Sequence, residues 1–355
     1  MTGLHKHPPS QKALPIADWT SRDRETWEVA QAKAGVLDEG GMASHLSPRT
    51  LKDLTSRYAY FLSFLVAAGR LNQEGLAASI TEENILDYVR FLKPRVSSVT
   101  LAQSIYKIAR VAACLAPERD WRWLKRVARR LDLRAKPRDK RHEVVEIREL
   151  FRLGLQLMDR AEQAPRLTLF PRAMLYRNGL IIALLAADPL RLDNITALEI
   201  GRTLINDGAT WSFDIPAEQT KERRLHLAIL PDWSSPYIDR YIEAYRPCFR
   251  NAGSTTRLWL GKGGRPLGKD GLYYLVCKQT RLAFNKRINP HLFRACLVTS
   301  TAVHYGAHMG LAMTVLRHQN SKVTLRHYDQ AEMIDAVRAY QTMLLDDVPP
   351  GRKRL

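Results

Sequence analysis

Between residues 47 and 133, apolar residues recur every three or four positions in four consecutive segments, which predicts four amphipathic helices. Ser47 and Thr81 precede two of these segments, where a side-chain hydroxyl can accept a hydrogen bond from a backbone N–H of the first turn. Gly69 and Pro94 follow the apolar periods and are typical of helix ends. The pattern therefore predicts a compact helical module.

The second half of the chain is predicted to contain both helices and strands, because a segment with strand-like alternation of apolar residues separates two helical stretches. Asp207-Gly208 is a turn signal between two apolar runs. Beyond it, Leu225, Leu227 and Ile229 alternate with other residues, as the inner face of a strand would. We expect a small antiparallel sheet of about three strands, and helices again after it. The predicted fold class is mainly α with a small antiparallel β-sheet (α+β).

These patterns divide the chain into five predicted segments. In chain order they are a flexible or short-helical N-terminal arm over residues 1–40, a helical module over 41–135, a basic linker over 136–144, a mixed domain over 145–345 and a basic tail over 346–355.

The charge points to a polyanionic partner, since 55 Lys and Arg against 36 Asp and Glu give a net charge of +19. Nucleic acid is the commonest such partner, and an anionic membrane surface is the weaker alternative. The predicted fourth helix concentrates this charge at helical spacing, in Arg122, Lys125, Arg126, Arg129 and Arg130. Such a stripe suits a DNA backbone, although a solvated helix face would look the same.

Cysteine spacing and hydropathy narrow the class of protein. The four cysteines include no CxxC pair, so neither a zinc ribbon nor a thioredoxin-like redox site is supported. The N-terminus carries no apolar secretory segment, and the longest apolar stretches are shorter than a spanning helix. We expect a cytoplasmic protein with reduced thiols and no membrane association.

Several polar residues of the second half fit the needs of phosphodiester cleavage without a metal. Guanidinium groups suit the phosphate oxygens, a phenol can form a covalent intermediate, and an ammonium group can protonate the leaving oxygen. The candidates, in chain order, are Arg191, Lys221, His291, Arg294, His318 and Tyr328. Taken singly, each has a simpler interpretation, such as a surface ion pair of Arg191 with Asp188 or Asp193.

The order and local contexts of these candidates resemble the tyrosine recombinase (phage integrase) family. Four segments carry the resemblance: PLRLDNITAL, TKERRLHLAILP, NPHLFRACLVTSTAVHYG and LRHQNSKVTLRHYDQ. They are similar to the family's first arginine motif, its β-hairpin lysine and following strand, its His-x-x-Arg helix, and its second histidine with the nucleophile. His-x-x-Arg alone has little weight, but the ordered series is specific. The helical module resembles the family's core-binding domain in position and pattern only.

The resemblance implies a transesterification mechanism. Tyr328 would attack the scissile phosphate and form a 3′-phosphotyrosyl link, with His291 assisting proton transfer at the phenol. Lys221 would protonate the leaving 5′ oxygen. Arg191 and Arg294 would clamp the phosphate oxygens. His318 would add a hydrogen bond to one of those oxygens.

The same resemblance implies the partners. Neither metal nor ATP is needed, because the bond energy is conserved. Double-stranded DNA with specific recombination sites would be held by a homotetramer, with partner recombinases as a further possibility. The helix over residues 331–345 would dock on a neighbouring protomer, and self-packing is its alternative. The setting stays open between a mobile genetic element, such as a phage, a transposon or an integron-like element, and chromosome-dimer resolution.

The chain departs from the family pattern at three places. Arg317 replaces the usual Gly before the second histidine, ten residues rather than nine separate His318 from Tyr328, and Asn194 stands where the family often has Glu. Two alternatives therefore stay open: a type IB topoisomerase, and a catalytically silent DNA-binding protein on the same fold. A generic RNA-binding protein would explain the charge but not the ordered motifs.

Overall fold

The computed structural model describes residues 12–35, 39–72, 75–137, 141–164, 166–220, 223–304, 340 and 342–343. The chain divides into two compact units, Met1–Asp139 and Lys140–Leu355, each with its own hydrophobic core. The division falls among the residues predicted as a basic linker.

The described part of the first unit contains five α-helices: α1 (Ser21–Gln31), α2 (Pro48–Ala67), α3 (Glu82–Leu92), α4 (Ser98–Leu115) and α5 (Arg122–Leu133). Local capping determines where two of them begin. The hydroxyl oxygen of Ser47 accepts the backbone N–H of Thr50, and that of Thr81 accepts the N–H of Asn84, each at 3.2 Å. Gly69 follows α2 with a φ of +65°, a conformation that favours glycine. The prediction of four helices between residues 47 and 133 is confirmed by α2, α3, α4 and α5.

Helix α1 lies in the segment predicted as an N-terminal arm, and it belongs to the core of the first unit. Trp19 and Trp27 are only 3% and 2% exposed. The ring of Trp19 meets that of Tyr58 edge to face at 5.3 Å, and Trp27 donates a hydrogen bond from Nε1 to Oγ1 of Thr55 at 3.2 Å. Two large aromatic side chains therefore hold this segment against α2.

The described part of the second unit contains six α-helices: α6 (Ile147–Gln163), α7 (Leu169–Ala187), α8 (Leu192–Thr196), α9 (Ser234–Arg240), α10 (Lys269–Phe284) and α11 (Pro290–His304). Helix α7 is long and apolar enough to cross a membrane by length and composition, but 61% of that window is buried inside the protein. It is the central helix of the second core, which explains its apolar composition.

A three-stranded antiparallel sheet accompanies these helices, in the order β1 (Leu204–Asn206), β2 (Trp211–Ile215) and β3 (His226–Ile229). The predicted turn at Asp207-Gly208 joins β1 to β2. Gly208 has a φ of +96°, and the Asp207 carboxylate accepts the backbone N–H of Thr210 at 2.8 Å. The mainly helical fold with a small antiparallel sheet is confirmed.

The predicted inner face of the third strand is wrong. Leu225 is 51% exposed, and Leu227 and Ile229 are only partly buried. The register pairs Phe213, which is fully buried, with Ala228, so Ala228 lies on the core face and its neighbours on the opposite one. Because side chains alternate with period two, the pairing with β2 determines which set of residues faces the core.

Candidate functional site

Arg191 lies in the short connection between α7 and α8. Its backbone oxygen accepts the N–H groups of Asn194 at 2.9 Å and Ile195 at 3.0 Å, so it occupies the N-cap position of α8. The side chain of Arg191 is half-buried. The next turn is anchored by Trp259, which donates from Nε1 to the backbone oxygen of Ile195 at 2.9 Å. Arg191 is thus held on a rigid turn at the edge of the core.

Arg294 reaches the same connection from α11. Its Nη1 donates a hydrogen bond to the backbone oxygen of Pro189 at 3.0 Å, two residues before Arg191. Helix α11 is fixed by its buried face and by Ser300, whose hydroxyl oxygen accepts the backbone N–H of Ile147 at 2.9 Å. The structure therefore brings two of the predicted arginines to one loop, although neither motif alone implies it.

His291 lies one turn before Arg294, at the exposed start of α11. Its backbone N–H donates to Oδ1 of Asn289 at 3.0 Å, and the N–H of Leu292 donates to the same oxygen at 3.2 Å. Asn289 therefore caps this helix, and His291 is placed by that cap. The predicted helix carrying both residues is present.

Three of the predicted catalytic residues, Lys221, His318 and Tyr328, lie outside the described residues, as does Arg317. The residues that flank Lys221 are described in part. Thr220 donates from its hydroxyl to the backbone oxygen of Arg224 at 2.7 Å and accepts the N–H of Arg224 at 2.9 Å. Arg223 has a φ of +51°. Two hydrogen bonds therefore join Thr220 and Arg224, which lie before and after Lys221 in the chain.

The structure adds a residue pair that the sequence analysis missed. His226, the first residue of β3, lies with Nε2 2.8 Å from Oδ2 of Asp188, at the start of the loop that carries Arg191. Both side chains are largely buried, with exposures of 12% and 6%. The other candidate partner of Arg191, Asp193, forms an ion pair with Lys269 at 2.7 Å. Nothing in the spacing of Asp188 and His226 indicates this contact.

Tyr340 is a possible rival of Tyr328 as the nucleophile, and its surroundings argue against that role. It is 2% exposed, and its hydroxyl donates to the backbone oxygen of Ala186. Burial, followed by the nearby charge of Asp188, raises the pKa of Tyr340 well above the ordinary value for a phenol. Tyr340 also packs in the core of its own second unit together with Met343, which favours self-packing for this part of the segment over residues 331–345.

The predicted basic stripe lies on α5 opposite a buried apolar face. Trp121, Leu124 and Ala128 are buried on one side of the helix. The exposed residues on the other side include all five predicted contacts, namely Arg122, Lys125, Arg126, Arg129 and Arg130. Arg122 pairs with Asp120 at 2.8 Å and, mainly by hydrogen bonding, lowers the pKa of that carboxyl to about 2. Among the described residues, the other four basic side chains form no salt bridge.

A metal cluster is not found in the described part of the chain, where no three His, Cys, Asp or Glu side chains are grouped to hold an ion.

Comparison with known proteins supports the resemblance that the motifs indicate. No model of a known protein family matches the chain. Tyrosine recombinase XerD of Staphylococcus haemolyticus is 28% identical over 150 residues, which is 42% of this chain and 48% of the relative. Tyrosine recombinase XerC of Lactobacillus delbrueckii subsp. bulgaricus is 26% identical over 154 residues, with the same coverage. Over this part of its length, the chain is similar to tyrosine recombinases.

The chain spans about half the length of the curated relatives that it matches. A solved structure described as the crystal structure of XerA recombinase aligns with 88% of this chain and 92% of its own, at 15% identity and a TM-score of 0.36. The sequence motifs predict Arg191 and Arg294 as site residues, the structure brings Arg294 to the loop that carries Arg191, and it adds the Asp188–His226 pair.

Proposed function

We propose that the chain is a site-specific DNA recombinase or integrase that cuts and rejoins DNA through a 3′-phosphotyrosyl intermediate. The observation that carries the proposal is the hydrogen bond from Arg294 to Pro189, which holds the second predicted arginine against the loop of the first. Two guanidinium groups are permanently charged and can each bind two oxygens of one phosphate. That pairing supports a phosphodiester substrate better than it supports a surface ion pair.

The proposed reaction is an in-line displacement. Oη of Tyr328 attacks the scissile phosphorus, and the new Oη–P bond forms as the bond from phosphorus to the 5′ oxygen breaks. His291 takes the phenolic proton, and Lys221 gives a proton to the departing 5′ oxygen. His318 donates a hydrogen bond to a non-bridging oxygen. Attack by a 5′-hydroxyl on the phosphotyrosyl bond reverses the step, so neither metal nor ATP is required.

The proposed DNA contact of the first unit is the exposed basic face of α5. This face includes Lys125, Arg126, Arg129 and Arg130, which suit successive phosphates along a duplex. Contacts to phosphates fix the position of a protein on DNA but carry little sequence information. Specific recognition of recombination sites would therefore need further contacts to the bases.

The proposed assembly is a homotetramer that joins two DNA sites, with partner recombinases as a further possibility. Residues 331–345 are the proposed contact between protomers, with the exception of Tyr340, which is buried in the core of its own chain. The cytoplasm, with association with the nucleoid while DNA is bound, is the proposed location. A mobile genetic element is the proposed setting.

The test is to recover covalent protein–DNA adducts. The purified full chain is incubated with a library of nicked duplexes that includes random sequences and the DNA flanking its gene. The reaction is stopped with detergent, and the DNA linked to protein is sequenced. We expect adducts at a few recurring sequences, with a free 5′-hydroxyl at each break, and none with Tyr328→Phe.

Other outcomes of this test favour other functions. Adducts without sequence preference, together with relaxation of supercoiled plasmid by a monomer, would indicate a type IB topoisomerase. Sequence-specific retention of DNA without any adduct would indicate a silent DNA-binding protein. An adduct formed by Tyr328→Phe would show that another residue is the nucleophile.

A further inference from the structure

The contact between His226 and Asp188 joins two segments that are 38 residues apart. Nε2 of His226 lies 2.8 Å from Oδ2 of Asp188, and neither side chain is more than 12% exposed. A buried carboxylate is costly unless hydrogen bonds or a charge compensate it. A buried pair of this kind therefore holds its two segments in one arrangement, because separating the partners breaks a buried hydrogen bond.

Asp188 links the pair to the loop that carries Arg191. The backbone N–H of Asp188 bonds to Leu184 at 2.8 Å and so continues from α7, and its oxygen accepts the N–H of Leu190 at 2.7 Å. The next oxygen, that of Pro189, accepts the hydrogen bond from Arg294. Helix α7, helix α11 and strand β3 thus all hold this loop, and β3 does so through His226.

On the side of His226, the pair acts on the connection that contains Lys221. His226 lies opposite Ile215 in the register of β2 and β3, where that connection returns to the sheet. Within the same connection, two hydrogen bonds join Thr220 and Arg224. The Asp188–His226 contact therefore ties the segment of the predicted general acid to the segment of the first predicted arginine.

We propose that Asp188 and His226 are positioning residues for strand cleavage, which set the loop of Arg191 and the connection of Lys221 relative to each other. This proposal rests on the proposed recombinase function. Neither residue needs to touch the DNA. Their effect is on the geometry of the groups that bind the phosphate and protonate the leaving oxygen, and a misplacement of about 1 Å in such groups can cost about 100-fold in rate.

The experiment compares two substitutions of His226. His226→Leu removes the hydrogen bond to Asp188, while His226→Gln keeps a donor close to the place of Nε2. Each full-length variant is assayed on a saturating concentration of a nicked duplex. The duplex carries a sequence at which the wild-type protein forms adducts. The rate of adduct formation, the affinity for the same duplex and the midpoint of thermal unfolding are measured separately.

We expect His226→Leu to lower the rate of adduct formation by about 100-fold while DNA affinity stays within about twofold. We expect adduct formation by His226→Gln to be at least about tenfold faster than by His226→Leu. Adding Asp188→Asn to His226→Leu is expected to cost little more, because residues that act as a pair are not additive.

A matched control separates positioning from a general loss of stability. Trp211 donates from Nε1 to Oδ1 of Asp239 at 2.8 Å, in the same sheet but away from residues 188–191. Trp211→Phe removes this hydrogen bond, and it is expected to lower the unfolding midpoint without changing the cleavage rate. If His226→Leu does not fold, Asp188→Asn and His226→Gln supply the same comparison.

Two results would overturn the proposal in distinguishable ways. If the wild type forms adducts and His226→Leu or Asp188→Asn forms them at the same rate, the pair has no positioning role and the recombinase function stands. Equal losses in His226→Gln and Trp211→Phe would lead to the same conclusion. If the wild type forms no adduct, both the function and the role of this pair fall.

Discussion

Nη1 of Arg294 lies 3.0 Å from the backbone oxygen of Pro189, although 105 residues separate the two in the chain. This hydrogen bond connects the His-x-x-Arg helix to the loop that carries Arg191. It anchors the guanidinium of Arg294 to the backbone two residues before Arg191. Under the proposed function, a phosphate bound by both arginines would meet an Arg294 side chain that is already in place, and such preorganisation is what makes electrostatic stabilisation effective.

Replacing Arg294 should affect catalysis more than binding. Arg294→Lys keeps the charge but removes the planar fork and the hydrogen bond to Pro189, so we expect adduct formation to slow by about 100-fold or more. The measurement is the single-turnover rate of adduct formation on a saturating nicked duplex. Arg240→Lys is the control, because Arg240 pairs with Glu162 on the surface at 3.1 Å. Equal rates in both variants would remove Arg294 from the proposed clamp.

The basic face of α5 predicts a measurable salt effect. Removing one cation that binds a phosphate should reduce the slope of log affinity against log salt by about 0.9 for duplex DNA. We therefore expect Lys125→Ala and Arg126→Ala each to weaken binding and to flatten this slope. Binding of a labelled duplex over a series of salt concentrations measures both quantities. Lys52→Ala, on the exposed side of α2, is the control. A slope unchanged in all variants would mean that α5 is merely a solvated face.

The packing of α6 on α7 depends on a glycine in the middle of α6. A Cβ at Gly154 would lie 2.7 Å from the backbone nitrogen of Ala183, and backbone cannot move aside cheaply. Gly154→Ala should therefore destabilise the second unit by about 1–3 kcal/mol, as overpacking does. Helix propensity alone would stabilise it by about 1 kcal/mol, so the sign of the change is diagnostic.

Chemical denaturation measures this change in the free energy of unfolding. Gly253→Ala is the matched control, because a Cβ at Gly253 meets no atom within 4 Å. A stability equal to or above that of the wild type in Gly154→Ala would show that the two helices are not in close contact at this glycine.

Tyr340 should behave as a structural residue. Tyr340→Phe removes the hydrogen bond to Ala186, which we expect to cost about 1 kcal/mol of stability. Adduct formation should continue in this variant and should stop in Tyr328→Phe. Gel analysis of detergent-resistant adducts, together with thermal unfolding, separates the two effects. Loss of adducts in a folded Tyr340→Phe protein would contradict the assignment of Tyr328.

Local structure could be predicted well from the sequence alone. The beginnings of α2 and α3 depend on hydroxyl groups of Ser47 and Thr81 that bond to backbone three residues later, and such contacts are visible as spacing. The ordered motifs also predict Arg191 and Arg294 as phosphate-binding residues, because the chemistry of a phosphodiester restricts the side chains that serve it. These features need only neighbouring residues or an order along the chain.

Only the tertiary structure decided which groups meet. Leu225, Leu227 and Ile229 do alternate with other residues, but the register with β2 places Ala228 and not these three on the core face. Which face of a strand is buried depends on its pairing with the neighbouring strand. The contact of Asp188 with His226 likewise depends on where α7 ends relative to β3. The sequence determined the helices, their caps and the candidate chemistry, because these depend on short-range bonding and on residue type. Packing between distant segments determined the faces, the buried pair and the meeting of two arginines at one loop.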